Sequence, residues 1–246
     1  MDSTRIIQLS DCHVSATADA VYRGINPRSE LEKLLAVMSD WQPDLLLLTG
    51  DLAEDGSREA YEYLEDRLAG LDVPVHTLPG NHDNHQLQSA VFASTAVDEA
   101  LQISAGAWML LLLNSSRPKM IAGKLDPAQL DSVEAALAAH PGPAMVFLHH
   151  QPVPVGSSWI DRYALQSAGR FWSVLDRHEQ VKVVAWGHVH QGFEAGRGCV
   201  KLLSAPSSAI NSLPGKEKFT PDQAGPACRW FVAHADGELE SGVLRA

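Results

Sequence analysis

Five apolar runs along this chain each end in a short cluster of His, Asp or Asn. The runs 6–9, 45–48, 73–78, 145–148 and 181–186 lead respectively into Asp11-Cys12-His13, Gly50-Asp51, Gly80-Asn81-His82-Asp83, His149-His150 and Gly187-His188-Val189-His190. A short apolar run bounded by turn residues reads as a buried strand, so each cluster falls where a strand ends and a loop begins. In open α/β sheets ligands bind beyond the carboxyl ends of the strands, and all five clusters can therefore converge on one sheet edge. A lone His or Asp at a strand end is ordinarily a satisfied loop residue. Five in series are not explained that way.

Helical patterns alternate with these runs. Strands are expected at 5–10, 44–49 and 74–78, separated by helices near 28–40 and 57–69, with a further helix from about 84. A strand at 107–114, a helix from Asp126-Pro127 to about 139, a strand at 143–149, a helix near 167–177 and a strand at 181–186 follow, with Pro suited to a first helical turn. After His190 the segments 191–196, 199–204, 228–235 and 238–244 are short and strand-like. Gly196-Arg197-Gly198 and Ala235-Asp236-Gly237 read as hairpin turns, so an antiparallel layer is expected to close the chain. The stretch 206–226 is rich in Ser, Pro, Gly and Lys and reads as a long loop on the substrate side. One domain over 1–246 is expected, with 191–246 supplying these closing strands and the loop.

Composition narrows the function classes. A net charge of -11 argues against a nucleic-acid polymer as partner, because such binding draws on clustered Lys and Arg. No apolar run approaches the roughly 18 residues of a membrane span. The start lacks a basic segment followed by an apolar one, so a cytoplasmic location without membrane association is expected. Cys12, Cys199 and Cys228 are odd in number and lack zinc-type spacing, which disfavours a disulfide framework. His76, His140, His178 and His234 read as ordinary strand, helix-end or turn residues; His85 and His150 lie within reach of the clusters.

The clusters themselves carry an inventory for divalent cations. Carboxylate oxygen and imidazole nitrogen suit hard or borderline metals, and two ions about 3.5 to 4 Å apart need a shared carboxylate with further ligands on each side. In an extended strand end Asp11 and His13 share a face and can reach one ion. The same geometry holds for His188 and His190, although a turn there could equally split them between two ions. Asp51, at a strand tip after Gly50, is the natural bridge. In the Gly80–Asp83 cluster, Asn81 offers a weak neutral ligand, His82 a proton donor and Asp83 a carboxylate in reach to orient it.

The ordered set D-X-H, G-D, G-N-H-D, H-H and G-H-X-H resembles the calcineurin-like metallophosphoesterase superfamily. That resemblance implies a four-layer αββα sandwich of two mixed sheets flanked by helices. It also implies two metal ions, iron and manganese foremost and cobalt or zinc as alternatives. One would be held by Asp11, His13, Asp51 and His190, the other by Asp51, Asn81, His149 and His188, with His82 free of metal. The surrounding segments Ile7-Gln8-Leu9-Ser10-Asp11, Leu78-Pro79-Gly80-Asn81-His82-Asp83, Ser204-Ala205-Pro206-Ser207 and His234-Ala235-Asp236-Gly237, with the stretch 156–161, are similar to bacterial class III 3',5'-cyclic-AMP phosphodiesterases. The activity so implied is hydrolysis of cyclic AMP to 5'-AMP by a metal-bridging hydroxide, with His82 as general acid.

Substrate contacts are then expected from Asn81, His82, His150, Trp159, Asp161 and Ser207, with Trp159 and Asp161 forming a lid over the base. Ser167 stands where the family often has Asn. Glu54 occupies the position where purple acid phosphatases carry Tyr, which removes an iron-tyrosinate centre, and Glu54-Asp55-Gly56 departs from the Asp-Arg-Gly of protein Ser/Thr phosphatases. Two other readings are a broader phosphodiesterase, acting on glycerophosphodiesters or 2',3'-cyclic nucleotides, and a non-catalytic binding scaffold on the same fold. A homodimer is compatible with all of these.

Overall fold

The structure, a computed structural model, describes residues 3–246. In chain order its elements are β1 (Ser3–Leu9), α1 (Pro27–Trp41), β2 (Leu45–Thr49), α2 (Arg58–Ala69), β3 (Val75–Leu78), α3 (His85–Val91), β4 (Leu101–Ala105), β5 (Trp108–Leu113), α4 (Pro127–Ala139), β6 (Ala144–Leu148), α5 (Ser158–Asp161), α6 (Ala168–Leu175), β7 (Val181–Trp186), β8 (Phe193–Arg197), β9 (Val200–Ser204), β10 (Asn211–Ser212), β11 (Pro221–Asp222), β12 (Ala227–His234) and β13 (Leu239–Arg245). The first sheet has the order β13-β12-β1-β2-β3, and the second β4-β5-β6-β7-β9-β8. Strands β1, β2 and β3 are parallel neighbours, as are β5, β6, β7 and β9, while β12, β13, β4 and β8 add antiparallel margins.

The uninterrupted apolar runs have a physical reason. A strand's side chains alternate between faces, so a strand covered on both sides must be apolar at every position. Leu45 and Leu47 of β2 pack into the layer between the two sheets with Phe147, Val183 and Phe231. Leu46 and Leu48 face the other way, onto Leu34 and Met38 of α1 and Tyr61 and Leu64 of α2. In the second sheet Met145 and Phe147 face the inter-sheet core, whereas Val146 and Leu148 meet Val133 and Leu137 of α4 and Phe171 and Leu175 of α6. The result is the expected αββα sandwich of two mixed sheets.

Local signals set the helix starts. Asn26 caps α1 by accepting the Ser29 amide at 3.0 Å, with Pro27 in the first turn, and Ser57 caps α2 through the Ala60 amide.

Four expectations are corrected. The five cluster-bearing strands belong to two sheets: β1, β2 and β3 to one, β6 and β7 to the other. The closing strands form no layer of their own, because β8 and β9 extend the second sheet while β12 and β13 extend the first. Arg229 of β12 is fully buried, with its Nε on Ser204 O (2.8 Å) and its Nη1 on Glu194 Oε1 (2.9 Å), a link between the two sheets. The stretch 206–226 contains the two-stranded β10–β11 ladder, and β4 pairs with β5 where no strand was expected. Among the described residues no helix is long and apolar enough to cross a membrane.

Phe147 is fully buried between the sheets, edge-on to Phe231 at 5.8 Å. Phe147→Ala is expected to cost about 3 to 5 kcal/mol in urea unfolding, and Val21→Ala, at a 70% exposed site, less than about 0.5 kcal/mol.

Candidate metal centre

Beyond β1 and β2 the chain segments stay paired. The amides of Asp11, His13 and Val14 donate to the carbonyls of Gly50, Asp51 and Leu52 at 3.0 to 3.1 Å. Asp11 and His13 are not extended, as the two-residue spacing suggested: their φ values are 53° and 47°. Asp51 (51°), His188 (66°) and His190 (50°) share this left-handed conformation. It costs an L-residue roughly 1 to 2 kcal/mol, although Asp and His visit it more readily than most. Five candidate ligands are thus held in strained backbone, the pattern of a site over-determined by its surroundings. Close backbone approach also requires glycine: a Cβ on Gly80 would collide with Asp51, and one on Gly187 with Ser10.

The strand ends bring together buried groups. Donor atoms of Asp11, His13 and His190 lie within 4.8 Å of one another, as do those of Asp11, Asp51 and His149, and those of His149, His150 and His188. Hydrogen bonds fix which ring nitrogens face inward. A carbonyl oxygen only accepts, so His149 Nδ1–H donates to Thr49 O (2.8 Å) and His190 Nδ1–H to Ile210 O (2.8 Å); His13 Nδ1 lies 2.7 Å from Glu54 Oε2. Each ring then turns its Nε2 atom to the interior, the hydrogen-bonding pattern that orients metal-ligating imidazoles.

His13 Nε2 and His190 Nε2 lie 3.2 Å apart, with Asp11 Oδ1 3.5 Å from the latter. Asp51 Oδ2 lies 4.0 Å from His13 Nε2 and 3.3 Å from His149 Nε2, between the two sets. On the second side, among the described residues, Asn81 Oδ1 and His188 Nε2 are buried without a hydrogen-bond partner, and His149 Nε2 has the Asp51 carboxylate 3.3 Å away. Buried polar atoms left unpaired cost about 1 to 3 kcal/mol each; donor atoms of His149 and His188 lie within 4.8 Å of each other, and Asn81 and His188 line one cavity. The residues fit two cations. His188 and His190 fall into different sets, which resolves the alternative left open by their spacing. His150 is excluded from the second: its Nε2 donates to Ile121 O (2.9 Å) and its Nδ1 accepts from Ser115 Oγ (2.8 Å).

Electrostatics follow from this burial. Burial lifts Asp11 to about 6. Burial would also raise Asp51, but His149, His82 and His13 outweigh it and hold the carboxyl well below its usual range. Burial pulls the His149 ring down, and the Asp51 carboxylate overrides that to bring it to about 9. Burial lowers His188 and drives His190 to about 3, so both rings are neutral and available as ligands at neutral pH.

His82 faces a cavity of about 540 Å³ that opens over this cluster, also lined by Tyr22, Arg23, Lys119 and Trp159. Its orienting carboxylate is Glu54, whose Oε2 lies 3.1 Å from His82 Nδ1 and is shared with His13. Burial opposes the His82 charge, yet the Glu54 hydrogen bond and the Asp51 and Glu54 charges raise the ring to about 9. Burial likewise opposes the Glu54 charge, and the two imidazoles hold it at about 2. Asp83 does not orient His82. Its oxygens accept the amides of Leu52 (3.1 Å), Ala53 (3.0 Å) and Gly80 (2.8 Å) and the Tyr61 hydroxyl (3.0 Å), tying together the loops after β2 and β3. The spacing Asp51-X-X-Glu54 was visible, but only the turn of the loop reveals that Glu54 reaches both imidazoles.

Of the expected substrate contacts, Asn81, His82 and Trp159 line the cavity and three residues do not. His150 has both nitrogens engaged as described. Asp161 accepts the Val155 and Gly156 amides (2.8 and 3.0 Å), closing its own loop. Ser207 Oγ donates to Asp11 O (2.8 Å) and accepts the amides of Ala209 and Ile210, which supports the Asp11 backbone from below. Ser167 Oγ accepts the Leu125 amide and lies outside the cavity lining. Sequence reasoning missed Tyr22, stacked on His13 at 4.0 Å, and Phe219, which meets Trp159 at 5.2 Å from the 206–226 stretch. Neither carries a signal by spacing, because each reaches the site from a long loop.

Residues 4–192 match the calcineurin-like phosphoesterase family, and the chain belongs to it. It is 36% identical to the 3',5'-cyclic adenosine monophosphate phosphodiesterase CpdA of Pseudomonas aeruginosa, over 99% of this chain and 90% of that protein. It is 37% identical to a 3',5'-cyclic-nucleotide phosphodiesterase of Nostoc, covering 98% and 91%. Among solved structures, a dimetal phosphatase from Danio rerio superposes with a TM-score of 0.69 at 13% identity, covering 98% of each chain. GAP50, described as the anchor in the inner membrane complex of Plasmodium, superposes with 0.68 at 10% identity, covering 99% of this chain and 84% of the other. At such identities these two likenesses speak to the fold alone.

Asp51→Ala is expected to remove both metals together, since this carboxylate lies between the two ligand sets. Metal content per chain after desalting checks it: two retained ions at unchanged affinity would refute the bridging role.

Proposed function

We propose that this chain is a dimetal 3',5'-cyclic-nucleotide phosphodiesterase that converts cyclic AMP to 5'-AMP. The observation that carries this reading is that Asn81 and His188, whose Oδ1 and Nε2 are buried without a hydrogen-bond partner among the described residues, line the same cavity as Asp51 and the Glu54-held His82. The names of the relatives supply the substrate class. Asp11, His13, Asp51 and His190 would hold one cation, and Asp51, Asn81, His149 and His188 the other. Their oxygen and nitrogen donors suit iron, manganese, cobalt or zinc.

A pair of such cations, when bound, supplies Lewis acidity toward the phosphodiester and toward an attacking water. The chain's own part is placement and proton transfer. Glu54 engages His82 Nδ1, which leaves Nε2 as the atom that gives its proton to the departing ribose O3'. A ring titrating at about 9 carries that proton at neutral pH. Water's hydroxyl joins phosphorus while its other proton passes to solvent, the P–O3' bond breaks, and the His82 proton completes the new 3'-hydroxyl, after which solvent reprotonates His82. Trp159 supplies an aromatic wall for the base.

A second reading, a phosphodiesterase acting on linear diesters such as glycerophosphodiesters, has one observation in its favour. A cavity of about 660 Å³, reaching Arg117 and His85, adjoins the first and shares Asn81, His82 and Lys119 with it. A linear diester needs room for a second ester arm, whereas both arms of a cyclic nucleotide end on one ribose. Hydrolysis of cyclic AMP, cyclic GMP, 2',3'-cyclic AMP and a glycerophosphodiester by metal-reconstituted protein separates the two readings.

His82→Ala is expected to retain both metals and to lose about 10² to 10⁴ in kcat on cyclic AMP, with a smaller loss on a nitrophenyl diester whose leaving group needs no proton. Equal losses on both would count against proton donation. Trp159→Ala is expected to raise KM for cyclic AMP by a stacking contact of about 1 to 3 kcal/mol, with little change for the nitrophenyl diester. An equal shift in both would assign Trp159 to loop support.

A further inference from the structure

One residue at the cavity mouth is held at a cost that nothing in the metal centre explains. Tyr22 and Ile25 exchange both backbone hydrogen bonds, at 2.9 and 3.0 Å, around a two-residue turn whose central residues Arg23 and Gly24 have φ of 48° and 91°. Positive φ at both centres is the type I′ pattern, whose first position favours Gly, or Asn and Asp with their short, locally hydrogen-bonding side chains, because longer side chains are strained there. Arginine occupies it here.

That conformation places the guanidinium in a defined setting. Arg23 Nε donates to Tyr22 Oη at 3.0 Å, and the group lies over the Phe219 ring at 4.0 Å. Phe219 meets Trp159, and Tyr22 stacks on His13, so Arg23 stands one aromatic ring beyond the candidate metal ligands. The residue is exposed at a wall of the cavity and, among the described residues, forms no ion pair. Its two terminal nitrogens make no hydrogen bond to any described residue and form a planar fork that carries donors only.

A donor-only fork distinguishes purines. Guanine presents two adjacent acceptors, N7 and O6, whereas adenine presents N7 beside the N6 amino donor, which opposes a second N–H. We infer that Arg23 is a specificity-determining residue that reads the N7/O6 edge of a purine base and moves the cavity's preference toward guanine. The inference rests on the cyclic-nucleotide reading above, and it makes cyclic GMP a substrate for which this chain has built a contact.

The test compares kcat/KM for cyclic GMP and cyclic AMP, taken as a ratio, in wild-type protein and two variants. Arg23→Asn suits the turn better than arginine, so its melting temperature is expected to be unchanged or higher, while the cyclic GMP to cyclic AMP ratio falls by about five- to a hundredfold, the worth of a bidentate base contact. Arg23→Lys keeps the charge without the fork, and the ratio is expected to fall there too. A lower melting temperature with an unchanged ratio in Arg23→Asn would show Arg23 to be a strut of the loop and overturn the inference. A ratio retained in Arg23→Lys would overturn the bidentate contact. Wild-type protein that turned over neither cyclic nucleotide would remove the underlying reading as well, whereas turnover of both with an unmoved ratio would remove this inference alone.

Discussion

The Asp51 carboxylate is the constraint on which the centre of this molecule depends. It is almost fully buried where the ends of the two sheets meet, with Oδ1 accepting the His82 amide and Oδ2 lying between His13 and His149. A buried carboxylate costs several kcal/mol unless it is compensated. The surrounding structure supplies that compensation from three loops at once, which requires the backbone after β2 to turn sharply and glycine to stand at Gly80 for close approach. Asp11 lies nearby under the same burial. The inward Nε2 atoms of the candidate ligand histidines complete a set of nitrogen and oxygen donors that suits divalent cations.

Around that centre, one carboxylate serves two purposes. Glu54 Oε2 contacts both His13 Nδ1 and His82 Nδ1. It therefore sets the tautomer of a candidate ligand and the charge of the candidate proton donor through one side chain. The strain of five left-handed candidate ligands is concentrated in the same few loops beyond the strand ends. A rigid four-layer core that buries both faces of its parallel strands is what can hold such loops in place.

The polar residues nearest the cavity divide into those that face it and those that hold its walls. Asp83, Asp161, Ser207 and His150 carry the chemical character of site residues, yet each has its polar atoms engaged with backbone or neighbouring groups. Arg23 and Phe219 carry no such mark in the sequence, yet Arg23 lines the cavity and Phe219 packs against Trp159 and His190. Similar residue types thus perform different work because loop geometry, and not residue chemistry, decides which atoms stay free.

What the sequence determined by itself was the succession of strands and helices along the chain and the inventory of candidate ligands, while its resemblance to the metallophosphoesterases implied the sandwich. Apolar runs such as Leu45-Leu46-Leu47-Leu48 can only be strands covered on both faces, and a strand's carboxyl end places Asp51 or His149 at the sheet edge whatever lies further away. Tertiary structure decided the assignments that need two segments to meet. It split His188 from His190, gave His82 its partner in Glu54 and not in the adjacent Asp83, and divided the last four main strands between two sheets. The physical reason is range: strand burial and turn chemistry are written in a few neighbouring residues, whereas a hydrogen bond such as Ser207 Oγ to Asp11 O joins atoms 196 residues apart and exists only after the whole chain has packed.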